Sequence, residues 1–313
     1  MKILITGASG LLGSNLSFLY AARHQIIAQY FQHPISIPNC KMLSFDLCDF
    51  EQTESVLKRE KPEILIHCAA NANVDLCEAN PDEAFLLNTE SVKRITGFCR
   101  QLNIKLVFIS TDSVFTEDRP KPFKEEEDTH PKNIYAQTKQ EAEIAIQREL
   151  SSALIVRTCI YGWNALPKQG LAEWMIEELS STRMIQGFTD TFFTPILVND
   201  LAEAIELALR KNLSGVYHMA SRDSVSKYEF ACLLAKRFGL NSSLVCRSSI
   251  LTSPLKACRP KRPCLDVQKF EKAAEKKLPT AEEGIDHFFQ LLKNGYQKNI
   301  KHCALVSHEM KGK

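Results

Sequence analysis

The 313-residue sequence predicts an α/β fold, a doubly wound parallel sheet with a smaller α/β lobe in its C-terminal half. Three observations predict it. Short apolar runs alternate with helical stretches of ten or more residues, the rhythm of parallel strands joined by right-handed crossovers. The runs at Ile64–Cys68 and Lys105–Ser110 are nearly continuous in apolar residues, as in strands buried on both faces. After Tyr161 the rhythm changes. Residues 1–160 are therefore expected to form the sheet domain and 161–295 a lobe interleaved with the sheet edge. Residues 296–313, rich in Lys and polar side chains, are expected to form a flexible tail.

The elements follow in order. Ile3–Thr6 is a short β-rich run, and Leu11 to Arg23 carries apolar residues at helical spacing. Gln25–Tyr30 and Met42–Phe45 read as the next strands. Phe50 to Glu60 reads as a helix bounded by Pro62. Beyond Ile64–Cys68, Pro81 to Leu102 reads as one long helix with proline in its first turn. Lys105–Ser110 is followed by a helix from Asn133 to Leu150 and a strand at Ala153–Arg157. In the lobe, helices are expected at Leu171–Ser180, Val198–Arg210, Lys227–Gly239 and finally Ala281–Leu292, with a strand at Gly215–Met219. A Ser-, Arg- and Pro-rich connection runs from Arg247 to Pro263.

Composition narrows the function classes. A formal net charge of +2 with scattered cations does not suggest a nucleic-acid surface, which points to a small-molecule partner. Eleven cysteines without a Cys-x-x-Cys pair argue for free thiols in a reducing, cytoplasmic compartment, and no spacing suits a metal. The apolar run after Lys2 is too short for a signal peptide, and no run of about 18 apolar residues suits a membrane span.

The first strand runs into Gly7-Ala8-Ser9-Gly10-Leu11-Leu12-Gly13, with a helix behind it. Gly7 permits the tight turn, Gly10 lets backbone approach a pyrophosphate, and Gly13 lets helix pack on strand. The helix N-terminus then offers free N–H groups and a positive dipole end to phosphates. This is a Rossmann dinucleotide cradle. The second strand ends Gln29-Tyr30-Phe31-Gln32-His33, without the acidic residue that grips the ribose of NAD. NADP(H) is therefore preferred over NAD(H), which stays open. Ser9, Arg23 and His33 are candidate helpers, and Asp46-Leu47 could cover the adenine or cap the helix at Phe50.

Tyr135 and Lys139 stand at i and i+4 on a helix and so share a face. A neighbouring ammonium lowers a phenol's pKa from near 10 and fits it for proton transfer. Ser110-Thr111-Asp112 ends a strand at the carboxyl edge of the sheet, where such folds bind ligands, and Thr111 can orient a carbonyl there.

Together these residues resemble the extended short-chain dehydrogenases/reductases, and within them the dTDP-4-dehydrorhamnose reductase (RmlD-like) family. The resemblance continues through His67-Cys68-Ala69-Ala70, Ser110 to Phe115, Val156-Arg157-Thr158, Tyr161-Gly162, Thr194-Pro195, Val198 to Ala202, Arg259-Pro260 and Cys264-Leu265-Asp266, over about 290 residues. It implies Thr111, Tyr135 and Lys139 as catalytic triad. It implies Cys68, Ala69 and Ala70 beside the nicotinamide, and Asn88 as support for that loop. The C-terminal lobe would be the substrate lobe, binding a nucleotide sugar through Asp112, Trp163, Phe193, Thr194 and Arg259. Arg259 would take the diphosphate through its planar fork. Phe193 and Trp163 stay open as core aromatics. Two departures stand out: Leu76-Cys77 replaces the usual Lys-Ala after Val74-Asp75, and Ser113 replaces an aromatic. The resemblance also implies a homodimer through residues 81–102 and 133–150. The group further resembles the regulatory β subunit of methionine adenosyltransferase, which leaves a cofactor-binding subunit as an alternative; an NAD-retaining epimerase or dehydratase is another.

Overall fold

A computed structural model describes residues 1–252 and 257–309. The last four residues of the predicted tail, and part of the Arg247–Pro263 connection, lie outside the described residues. At the centre is a seven-stranded, wholly parallel sheet. Its strands are β1 (Lys2–Thr6), β2 (Gln25–Tyr30), β3 (Cys40–Ser44), β4 (Ile64–His67), β5 (Lys105–Thr111), β6 (Leu154–Thr158) and β7 (Gly215–His218), in spatial order 7-6-5-4-1-2-3. The order reverses beside β1, so a crevice opens at the carboxyl ends of β1 and β4.

Side chains alternate across this sheet. Ile3, Ile5, Ile66, Val107, Leu154 and Val156 enter the larger core cluster. Leu4, Ile27, Leu65, Leu106, Phe108 and Ile155 enter the other, on the opposite face. Helices α1 (Leu11–Tyr20) and α8 (Val198–Arg210) pack together against the first face. The helices α2 (Phe50–Glu60), α5 (Ser91–Leu102) and α6 (Ile134–Glu149) pack on the second. Asp49 caps α2 and Asn133 caps α6.

The stretch expected to be one helix from Pro81 is broken. After a short α3 (Val74–Ala79), α4 (Pro81–Phe85) runs into a π-helical turn at Leu86–Glu90, and α5 resumes at Ser91. That turn buries Asn88 and Thr89, which bond to α6: the Asn88 amide donates to Thr138 Oγ1 at 3.1 Å, and the Thr89 hydroxyl donates to the Thr138 carbonyl at 2.9 Å. A widened turn placing polar side chains toward a site is the usual setting of such windings.

The C-terminal lobe lends β7 to the central sheet, beside β6. Its own helices are α7 (Leu171–Ser180), α9 (Lys227–Phe238), α10 (Gln268–Ala274) and α11 (Ala281–Lys293). Capping boxes start α9 at Ser226/Glu229 and α11 at Thr280/Glu283, and Gly239 ends α9 in the left-handed region. Small ribbons tie the lobe down: Ile160–Tyr161 pairs with Ile196–Leu197, Phe192–Phe193 with Val225–Ser226, and Ile185–Phe188 with Val245–Ser248.

The expectation of a tail from residue 296 is corrected. Tyr296–Glu309 form a further helix, α12, whose Tyr296, Ile300 and Cys303 are buried along one face. The Tyr296 hydroxyl donates to Asn15 Oδ1 on α1 at 2.8 Å. The apolar spacing of 4 and 3 is helical, and a lysine-rich remainder conceals it.

Candidate active site

The glycine loop is built by close approach. Gly7 has φ +67°, and a Cβ there would lie 2.8 Å from the backbone of Ala69. A Cβ on Gly13 would fall 2.2 Å from the Gly7 carbonyl, so only glycine lets α1 start this close to β1. Gly10 differs, because it is exposed and its Cβ would meet only the Gly7 carbonyl, at 3.3 Å. The α1 N-terminus has no side-chain cap and no acidic residue in its first turn, although α2, α6, α9 and α11 are all capped. Uncapped N–H groups beside an open glycine suit a pyrophosphate, so the residues present fit a dinucleotide. Ser9 and Leu11 are half-buried at this turn, and Leu12 and Leu47 are buried among its supports.

Gln29 is the residue the sequence reading missed. It stands near the end of β2, where an acid would face a ribose, but its side chain turns inward. Its Oε1 accepts from Gly7 N at 3.0 Å, and its Nε2 donates to the Phe45 carbonyl at 2.6 Å. A buried amide with both ends used braces the cradle. Among the suggested phosphate helpers, Arg23 is instead paired with Glu206 at 2.6 Å, and His33 is exposed. Asp46 neither caps α2 nor is buried; its Oδ1 accepts from Cys48 N in the turn after β3.

The loop after β4 closes over the cradle. Thr6 Oγ1 accepts from Ala69 N at 3.3 Å and contacts His67 Nδ1 at 3.1 Å. Cys68, Ala69 and Ala70 are half-buried along it. Asn88 holds its continuation, accepting from Asn71 N at 2.8 Å and donating to the Asn71 carbonyl at 3.0 Å. His67 is buried and held neutral; burial first, then the Lys139 charge, pull its pKa down to about 3.

Thr111 ends β5, and its hydroxyl donates to Asp112 Oδ1 at 3.1 Å while accepting from Ser113 N at 3.1 Å. Tyr135 comes from the first turn of α6, with Thr111 as its neighbour. Burial pushes the Tyr135 phenol well above its ordinary range, Thr111 pulls it back, and Asp112, Cys159 and Cys77 nearby oppose its ionisation further. Lys139, one turn further along α6, is not left in solvent. The ammonium of Lys139 instead lies 3.9 Å above the Phe108 ring, and burial lowers its pKa to about 7 against the pull of Glu143 and Cys68. Beneath it, Glu143 is clamped by Arg157 at 2.7 Å and by the Ser110 hydroxyl at 2.5 Å, joining α6, β6 and β5 in a buried network.

The expected substrate residues fare unevenly. Asp112 is buried at the site, with its carboxyl raised by burial against the lowering effect of Lys227. Trp163 is a core residue: its indole stacks on Phe288 at 4.1 Å and donates to the Phe288 carbonyl at 3.3 Å. Thr194 is buried and structural, accepting from Leu265 N at 3.3 Å. Phe193 packs edge-on against Phe230 and carries the Lys227 ammonium 3.1 Å from its centroid. Arg259 is not a free diphosphate fork. It pairs with Asp75 at 2.8 Å and donates to the Ala257 carbonyl at 3.1 Å, fastening this stretch to α3. Asn133 adds a second tie, donating to the Cys258 carbonyl at 2.8 Å.

The sequence profile of the family described as RmlD substrate binding domain matches residues 1–294. A probable low-salt glycan biosynthesis reductase of Haloferax volcanii is 28% identical over 289 residues, covering 91% of this chain and 96% of its own. The methionine adenosyltransferase 2 subunit beta of Xenopus laevis is 29% identical over 293 residues, covering 87% of this chain and 82% of its own. The crystal structure of dTDP-4-dehydrorhamnose reductase from Bacillus anthracis, in complex with NADP, superposes with a TM-score of 0.80 at 28% identity. It covers 93% of this chain and 99% of that one.

Proposed function

The chain belongs to the RmlD substrate binding domain family, and from that premise we propose that it is an NADP(H)-dependent reductase of a keto-sugar nucleotide, of the dTDP-4-dehydrorhamnose reductase kind. The observation that carries this reading is the meeting of two features at one sheet edge. An uncapped, glycine-lined α1 N-terminus follows β1, and Thr111 ends β5 at the same carboxyl edge of the parallel sheet, with Tyr135 in the first turn of α6. A reductase needs a protonated acid at its carbonyl, and a tyrosine phenol holds its proton at neutral pH. The relative crystallised with NADP supports the cofactor choice.

When bound, the nicotinamide supplies the hydride. Gly7, Gly10 and the first turn of α1 would hold the pyrophosphate, and Cys68 to Ala70 would line the nicotinamide side. Tyr135 Oη donates a proton to the carbonyl oxygen, with Thr111 orienting the phenol. Lys139 serves the ribose side, where its pKa of about 7 lets it hold or release a proton near neutrality. Asn88 keeps the cofactor-side loop in place through Asn71.

The test is NADPH oxidation with dTDP-4-dehydrorhamnose. Tyr135→Phe should bind NADPH like the parent and lose roughly 10²–10⁴-fold in turnover; full turnover in that variant would reject the mechanism. A second reading, a cofactor-binding regulatory subunit, is favoured by the likeness to the methionine adenosyltransferase relative. NADPH binding without turnover on any keto-sugar nucleotide, together with a stably captured enzyme partner, would choose it.

A further inference from the structure

Lys139 stands one turn from Tyr135 on α6, Lys227 interacts with Asp112 next to Thr111, and the proposed chemistry uses only the first. Lys139 interacts with Glu143, Cys68 and Phe108, all on the cofactor side. Lys227 interacts with Asp112, Cys159 and Cys264 and lies on the Phe193 ring. Asp112 and Cys159 also act on Tyr135. Lys227 and Tyr135 therefore share two neighbours, the lysine coming from α9 of the C-terminal lobe and the phenol from α6.

The position is an expensive one for a cation. Lys227 occupies the first turn of α9, at the positive end of the helix dipole. Its surroundings lower its pKa by desolvation. Among the described residues its ammonium has no hydrogen-bond acceptor and no carboxylate within 4.0 Å, and it rests on the Phe193 face. Asp112, the nearest acid in effect, already accepts from Thr111 and Ser113. A half-buried ammonium with three donors and no protein acceptor is open to a ligand oxygen.

We propose that Lys227 is a substrate-recognition residue, whose ammonium donates to an oxygen carried by the sugar next to the reacting carbonyl, with Phe193 as the floor beneath it. Resting on the reductase reading, this places the sugar between Tyr135 and Lys227 and makes Lys227 a determinant of which oxygen-bearing sugar is accepted.

The experiment uses the full chain with NADPH and dTDP-4-dehydrorhamnose as probe, in the parent, Lys227→Met and Lys227→Arg. Loss of a charged hydrogen bond predicts a KM raised about 10- to 100-fold in Lys227→Met. Its NADPH affinity should be unchanged, and Lys227→Arg should recover part of the loss. Thermal unfolding of the ligand-free proteins gives an independent reading, since removing an unpaired desolvated cation should raise the melting temperature of Lys227→Met. An unchanged KM, or a lowered melting temperature, would overturn the proposal while leaving an active parent as a reductase. A parent that neither binds nor reduces the probe, nor any other keto-sugar nucleotide, would overturn both.

Discussion

Lys139 has the clearest pH consequence of any single residue. Its folded pKa is about 7 against an ordinary 10.5. Between those values the unfolded chain holds a proton that the folded chain has released, so stability from this group rises with pH across that window. The slope is about 1.4 kcal/mol per pH unit at most. Chemical denaturation at pH 7.5 and pH 9.5 should show the parent gaining stability relative to Lys139→Met; parallel curves would contradict the buried-ammonium picture. At this scale the sequence was only partly legible. Tyr135, Lys139 and Thr111 could be named from type and spacing. The roles of Arg259 and Trp163 could not, because they depend on Asp75 and Phe288, 184 and 125 residues away. Gln29 escaped notice because a glutamine at a strand end carries no pattern of its own.

Among the elements, the glycine turn separates folding from binding. Gly13→Ala drives a Cβ into the Gly7 carbonyl, and should cost at least about 2 kcal/mol by urea unfolding. Gly10→Ala meets only the Gly7 carbonyl, at 3.3 Å, a tight contact that a small shift relieves. It should unfold within about 1 kcal/mol of the parent, yet bind NADPH roughly tenfold more weakly or worse by titration, because the methyl takes the space the pyrophosphate requires. Equal NADPH affinity in Gly10→Ala would move the phosphates elsewhere. Strands such as β4 and β5 were legible because burial on both faces leaves an uninterrupted apolar run. The π-helical turn at Leu86–Glu90 was not. Nothing in Leu-Leu-Asn-Thr-Glu opposes an ordinary helix, and the winding is set by the bonds of Asn88 and Thr89 to Thr138.

Across the whole molecule, two histidines set the acid limit. His67 and His218 are buried, each with a pKa lowered to about 3, chiefly by burial. Both stay neutral in the folded chain while the unfolded chain takes up protons below about 6.5. Stability is therefore intact above that value and is lost as pH falls toward 3, with a slope of up to about 1.4 kcal/mol per unit for each histidine. Replacing both with Gln should flatten the decline between pH 6 and 4 in thermal unfolding; an unchanged decline would assign it to other groups. Removing residues 295–313 strips Tyr296, Ile300 and Cys303 from the core and should cost at least about 3 kcal/mol in urea. An unaffected unfolding midpoint would mean that α12 contributes nothing.

The bond from Tyr296 to Asn15 spans 281 positions of chain. During synthesis α1 is made 281 residues before the hydroxyl that its Asn15 accepts from. Until that later stretch exists, α1 carries a polar side chain with one side unanswered. An early helix is thus braced late.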